Sequence, residues 1–218
     1  MFVMCAAFWQ KAGAQTLQVI HTSNLYTQKV LSDSNHYMVE LKTEIPSLIY
    51  DIRYATTNNF TGTQLYQKGN HTFLRLPAAN AIRTVQNELA QKGYGLKIWD
   101  AYRPYKATQT MWNLVQDERY VANPAKGSGH NRGLAIDVTI IHLETGEELP
   151  MGTGYDNFTD TAHHSFQNLS ATVLQNRTLL KTTMEGAGFT ALSTEWWHYY
   201  WPNDKAYDVM DFSFEQLV

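Results

Sequence analysis

The feature that most constrains this chain is one carboxylate, Asp137, set inside the apolar run Leu134 to Ile141. Alternation puts Leu134, Ile136, Val138 and Ile140 on one face of a strand and Ala135, Asp137 and Thr139 on the other. Burying a carboxylate alone is costly, so Asp137 calls for a paired group or a cation. His130 lies seven residues earlier, across Gly129 and Gly133, and those glycines let the chain fold back so that the imidazole approaches the carboxylate. Taken alone, the pair reads equally well as a buried His–Asp hydrogen bond.

A second cluster shifts that balance. In Glu195-Trp196-Trp197-His198, a helical turn or tight corner puts positions i and i+3 on one face, and the tryptophans keep the neighbourhood dry. Two histidines and one aspartate make a three-ligand set for catalytic zinc, leaving a fourth position for water. Glu195 is then the unliganded carboxylate able to take a proton from that water, whose pKa zinc brings to about 7. Cys5 is the single cysteine, so no internal disulfide can form and thiolate ligation gives way to imidazole and carboxylate. His163 and His164 are the rival metal pair, but neighbours on extended chain point apart, so they are expected to be structural or pocket-lining.

The 218 residues suit one domain with a well-buried core. Lys and Arg total 17 against 20 Asp and Glu, a net charge of -3, which leaves no basic surface in bulk for nucleic acid or anionic lipid. Pro77 opens a helix carrying Ala78, Ala81, Ile82, Val85 and Leu89 at helical spacing, with Gly93 and Gly95 ending it. Leu96 to Asp100 alternates as a strand and turns out through Ala101-Tyr102-Arg103-Pro104; residues 105 to 120 are weakly helical. Residues 37 to 54 are expected to be extended, Gln167 to Gly186 helical, and Phe189 to Tyr200 strand, turn and strand. Mixed elements without strict alternation predict a single α+β domain around a mostly antiparallel sheet flanked by helices.

At the N-terminus, the apolar run Phe2 to Trp9 precedes Ala12-Gly13-Ala14, the small-x-small form of a signal-peptidase site. Residues 1–14 are therefore expected to be an export signal with a clipped, uncharged start, and residues 15–218 the catalytic domain, periplasmic or otherwise exported. Without cleavage, the run becomes an apolar turn packed on a cytoplasmic protein. No later stretch approaches the roughly 20 apolar residues of a membrane span.

These motifs resemble the D-alanyl-D-alanine dipeptidases of the VanX type, within the zinc peptidase family that also contains DD-carboxypeptidases and shares its fold with the hedgehog signalling domain. The pattern SxHxxGxAxD matches Ser128, His130, Gly133, Ala135 and Asp137, and ExxH matches Glu195 and His198. The resemblance implies zinc ligation by His130, Asp137 and His198, with Glu195 as general base. Asp51 to Thr56, followed by Asn59-Phe60-Thr61-Gly62, resembles the segment whose tyrosine receives the substrate amine, which implies that role for Tyr54. Trp99 to Pro104 resembles the segment whose arginine lies over the scissile carbonyl, so Arg103 is implied as the oxyanion partner. Pro150-Met151-Gly152 with Tyr155-Asp156 resembles the loop carrying an amine-binding aspartate, here Asp156, and Ser128 is taken as a further substrate contact.

The implied partner is a small dipeptide and the implied cofactor one zinc ion. Two alternatives stand beside the dipeptidase: a DD- or LD-carboxypeptidase of the same family trimming a longer peptidoglycan stem, and a binding module in which metal only holds the fold. The span between Arg103 and His130 is shorter than in the best-known dipeptidase, which predicts a more open entrance.

Overall fold

The computed structural model describes residues 17–67, 71–202 and 206–217. The expected export signal over 1–14, and Cys5 with it, lie outside the described residues. In chain order the elements are β1 (Val19–Ile20), α1 (Ser23–Ser32), β2 (Met38–Glu40), α2 (Leu41–Glu44), β3 (Ile49–Tyr50), β4 (Phe73–Arg75), α3 (Leu76–Ala90), β5 (Tyr94–Asp100), α4 (Tyr105–Leu114), β6 (Ala135–His142), α5 (Ala171–Gly186), β7 (Thr190–Ala191), β8 (His198–Tyr200) and β9 (Val209–Met210).

Five strands form the central sheet in the order β3-β5-β6-β8-β7; only the β3–β5 pair is parallel. The α+β, mostly antiparallel architecture expected from the element pattern is what forms. Two small pairs stand apart, β1 with β9 and β2 with β4. Helix α3 turns Ala78, Ile82, Val85 and Leu89 inward, and with α5 it packs against the middle strands. Strand β6 is buried from Ala135 to Ile141 on both faces, so Asp137 lies in covered sheet rather than on a wet surface.

A register shift positions the chemistry. Ile98 pairs with Val138, but the next pair is Asp100 with Asp137, so Trp99 bulges and two carboxylates face each other across the ladder. On the other side, Asp137 pairs directly with His198 of β8.

Several element boundaries differ from expectation. Residues 37 to 54 are not continuously extended: α2 inserts one turn because Leu41 is fully buried and its carbonyl accepts from Ile45 N at 2.7 Å, and a 3-10 turn follows at Arg53–Ala55. Gly93, at φ +81°, takes the turn after α3, whereas Gly95 lies inside β5, where a Cβ would meet Leu143 Cδ2 at 2.8 Å. Helix α5 starts at Ala171, four residues later than the composition implies, because the Ser170 hydroxyl caps it by accepting from Val173 N. Helix α4 stops at Leu114 instead of running to 120.

Candidate active site

The site lies where the bulged end of β5, the start of β6 and the start of β8 meet. His130 reaches it from a 3-10 turn, His130–Arg132, closed by Gly133 at φ +69°. A side chain at Gly133 would suffer both from that backbone and from Met38, whose Cε and Sδ lie 2.7 and 2.8 Å from an added Cβ. The turn is stapled by Asn131, which is fully buried. Its Nδ2 donates to Arg103 O and Thr108 Oγ1, and its Oδ1 accepts from Ser128 N. Ser128 lines the cavity, but its Oγ accepts from His130 N at 3.2 Å, so part of its hydrogen-bonding capacity serves the turn.

The three expected ligands converge. His130 Nδ1 lies 2.7 Å from Ala101 O; a carbonyl can only accept, so Nδ1 carries the proton and Nε2 presents a lone pair. That Nε2 lies 3.3 Å from His198 Nδ1 and 3.5 Å from Asp137 Oδ2. Asp137 Oδ1 lies 3.0 Å from His198 Nδ1, yet it is buried and accepts no hydrogen bond. Burial pushes the Asp137 pKa up, but the two imidazoles outweigh it and hold the carboxyl below its usual range. The His198 pKa is lowered, first by burial, which favours the neutral ring.

The lone pair of His130 Nε2, the Nδ1 of a neutral His198 and an orphaned carboxylate oxygen meeting in a dry site are a donor set for a cation. The spacing fits as well, since bonds of about 2.0–2.1 Å in a tetrahedron put ligand atoms roughly 3.3 Å apart. Among the described residues, no other His, Cys, Asp and Glu group of this kind forms. His163 and His164 stay outside this group, and burial with Lys181 and Arg177 lowers the His164 pKa to about 4.

Glu195 sits on the tight corner between β7 and β8, where Glu195 N donates to Leu192 O and His198 N donates to Glu195 O. Its Oε2 lies 3.7 Å from His198 Nδ1. Burial, then Asp137 and Asp156, lift its pKa well above the usual carboxylate range. Arg103 approaches from the β5 side, with Nη2 at 4.0 Å from Asp137 Oδ2. Both Nε and Nη2 donate to Asp100 Oδ2, at 3.0 and 2.7 Å. Burial disfavours the Arg103 charge, but Asp100 and the surrounding tyrosines outweigh it and raise the pKa.

Tyr54 and Asp156, 102 residues apart, form the far end of the cleft; the Tyr54 hydroxyl lies 3.0 and 3.2 Å from the two Asp156 oxygens. Asp156 adopts φ +57°, the left-handed region, and no other non-glycine among the described residues does so. Burial, reinforced by Asp137, pushes its pKa up to about 7. The cavity measures about 300 Å³. Phe60, Tyr120 and Phe158 line it, with Tyr120 stacked on Phe158 at 4.8 Å, so the span between Arg103 and His130 contributes to its wall.

Two buried groups at the site carried no role in the sequence reading. Asp100 bears the same signal as Asp137, a carboxylate inside an apolar strand; it anchors Arg103 and accepts from Tyr66 OH and Ala101 N. Tyr155 donates to Asp137 Oδ2 at 2.9 Å, a contact that no local pattern betrays.

Ion-binding donors, a spare buried carboxylate and a buried guanidinium define a hydrolytic metal centre. The chain belongs to the D-ala-D-ala dipeptidase family of metallopeptidases, Peptidase_M15, whose model matches residues 34–216. It is 34% identical over 188 residues to the D-alanyl-D-alanine dipeptidase of Escherichia coli K12, covering 86% of this chain and 96% of that one. It is 36% identical over 170 residues to the D-alanyl-D-alanine dipeptidase of Enterococcus faecium, covering 69% of this chain and 84% of the other. A solved vancomycin-resistance D,D-pentapeptidase in complex with Zn(II) aligns at a TM-score of 0.40 and 16% identity, over 64% of this chain and 79% of that one.

Proposed function

We propose that this protein is a zinc-dependent dipeptidase that hydrolyses D-alanyl-D-alanine, with His130, Asp137 and His198 as ligands and Glu195 as general base. The observation carrying the reading is the meeting of two imidazole nitrogens, His130 Nε2 and His198 Nδ1, with an orphaned Asp137 oxygen, beside a carboxylate that no ligand role uses. Charge balance supports it. Asp100, Asp137, Asp156 and Glu195 face a single guanidinium, Arg103, leaving three negative charges when all are ionised. A divalent ion offsets two of them, and the third, at Asp156, is left to pair with a substrate ammonium.

When bound, zinc supplies a Lewis acid and lowers the pKa of water at that centre to about 7. Glu195, its proton affinity raised by burial, accepts a proton from the attacking water and returns it to the departing amine. Arg103, gripped by Asp100, donates to the oxyanion that develops on the carbonyl. Asp156, with Tyr54 beside it, receives the substrate ammonium and measures the peptide from its N-terminus. A cavity of about 300 Å³, at the small end for ligand sites, suits a dipeptide better than a long stem.

The test is a panel of D,D, L,D, D,L and L,L alanine dipeptides, together with a stem pentapeptide ending in D-alanyl-D-alanine, incubated with zinc-loaded protein. Free alanine is expected from the D,D dipeptide. No release with zinc shown to be bound refutes this substrate, and preference for the pentapeptide turns the reading toward a carboxypeptidase. Export by residues 1–14 belongs to the same proposal and would bring the enzyme to dipeptides of the peptidoglycan layer. N-terminal sequencing of envelope protein should then begin at Gln15.

A further inference from the structure

Asp137 offers two oxygens, and they are treated differently. Oδ2 accepts the Tyr155 hydroxyl at 2.9 Å and lies 4.0 Å from Arg103 Nη2. Oδ1 accepts nothing and lies 3.0 Å from His198 Nδ1. A carboxylate with one occupied and one free oxygen is set to bind an ion through the free one.

Tyr155 is itself held against movement. Its ring packs on Trp99 at 5.0 Å and on Trp197 at 5.7 Å, and it contacts Tyr54 edge-on at 6.1 Å. Its backbone is fixed by the next residue, because Asp156 occupies the left-handed region while bonding to Tyr54. One turn thus sends adjacent side chains to the two ends of the cleft, Tyr155 to the ion end and Asp156 to the amine end.

We infer that Tyr155 is a positioning residue for the metal centre: its hydroxyl occupies Asp137 Oδ2, which lies 3.5 Å from His130 Nε2, and so fixes the carboxylate with Oδ1 left without a hydrogen bond beside His198. The inference rests on the metal-site reading above. In Tyr155→Phe the ring packing survives and only the hydroxyl is lost, leaving the Asp137 carboxylate free to rotate. Outer hydrogen bonds of this kind change metal affinity by about 10- to 100-fold.

The experiment is zinc competition with a chromogenic chelator, starting from metal-free protein, for the parent, Tyr155→Phe and Tyr199→Phe. Tyr199 serves as the control because its hydroxyl is buried without a partner. Thermal melts of the metal-free proteins check folding. The expected result is a Kd raised about 10-fold or more in Tyr155→Phe, with Tyr199→Phe matching the parent. Equal affinity in the parent and Tyr155→Phe overturns the inference while leaving the metal site intact, as does equal weakening in both variants. Unchanged affinity with a large fall in kcat also overturns it, because the hydroxyl would then act on substrate. A parent that binds no zinc sinks the inference and the metal-site reading together.

Discussion

The two ends of the cleft are built by different means. At the metal end, Asp137 and His198 are direct partners in the β6–β8 ladder, and His130 is tied to that sheet through Ala101 O and the Asn131 staple. At the proposed amine end, Tyr54 stands on a short 3-10 turn and Asp156 on a left-handed turn, joined to each other through their side chains. Backbone ladders fix atoms to the tolerance that coordination demands, whereas a side-chain clamp on loops can change its ligand without disturbing the sheet. The chemistry should therefore survive damage to the amine end, and recognition should survive damage to the base.

The largest separation is expected from Glu195→Ala. Removing a general base lowers kcat by about 10²- to 10⁴-fold. Bound zinc and the KM for the dipeptide should stay near the parent's, measured by metal analysis and steady-state kinetics on one preparation. Loss of zinc in this variant would make Glu195 a ligand and merge the two ends.

Asp156→Asn should do the converse. Losing a charge-assisted bond, about 1.5–3 kcal/mol, lowers kcat/KM for the dipeptide by about 10- to 100-fold, mostly through KM. The pH profile sharpens the point. With its pKa raised to about 7, Asp156 is protonated and neutral below that value and cannot pair with an ammonium. Parent kcat/KM should therefore fall as pH drops through about 7, with the raised Glu195 carboxyl adding to the same limb, and Asp156→Asn should make that fall shallower. A variant that keeps the whole limb assigns the titration elsewhere.

The smallest effect is expected from Gly133→Ala. A non-glycine residue at φ +69° costs about 1–2 kcal/mol, and the new Cβ must push aside the flexible end of Met38. Thermal stability should drop by a few degrees while KM holds. A change in KM alone would mean that the turn carrying His130 also shapes the amine end.

What the chain discloses in advance follows the same division. Helix α3 and strand β6 were legible because Ala78 to Leu89 and Leu134 to Ile140 repeat at the periods of their elements. Asp137 stood out as a carboxylate in apolar surroundings. Asp100 carries the same mark, but its place opposite Asp137 comes from a bulge at Trp99 in the pairing with β6, which no local spacing shows. The contact of Tyr155 with Asp137 joins two segments through tertiary packing, and no spacing encodes it. Helix ends are least legible where a single cap decides them, as Ser170 does for α5.

The most direct measurement is anomalous diffraction at the zinc absorption edge from crystals of protein grown with one equivalent of zinc. One peak at coordination distance from His130 Nε2, Asp137 and His198 Nδ1, with Glu195 close by but not bonded, is the expected result. A peak at another cluster, or none among these three side chains while zinc is bound in solution, would contradict the metal site and the reaction built on it.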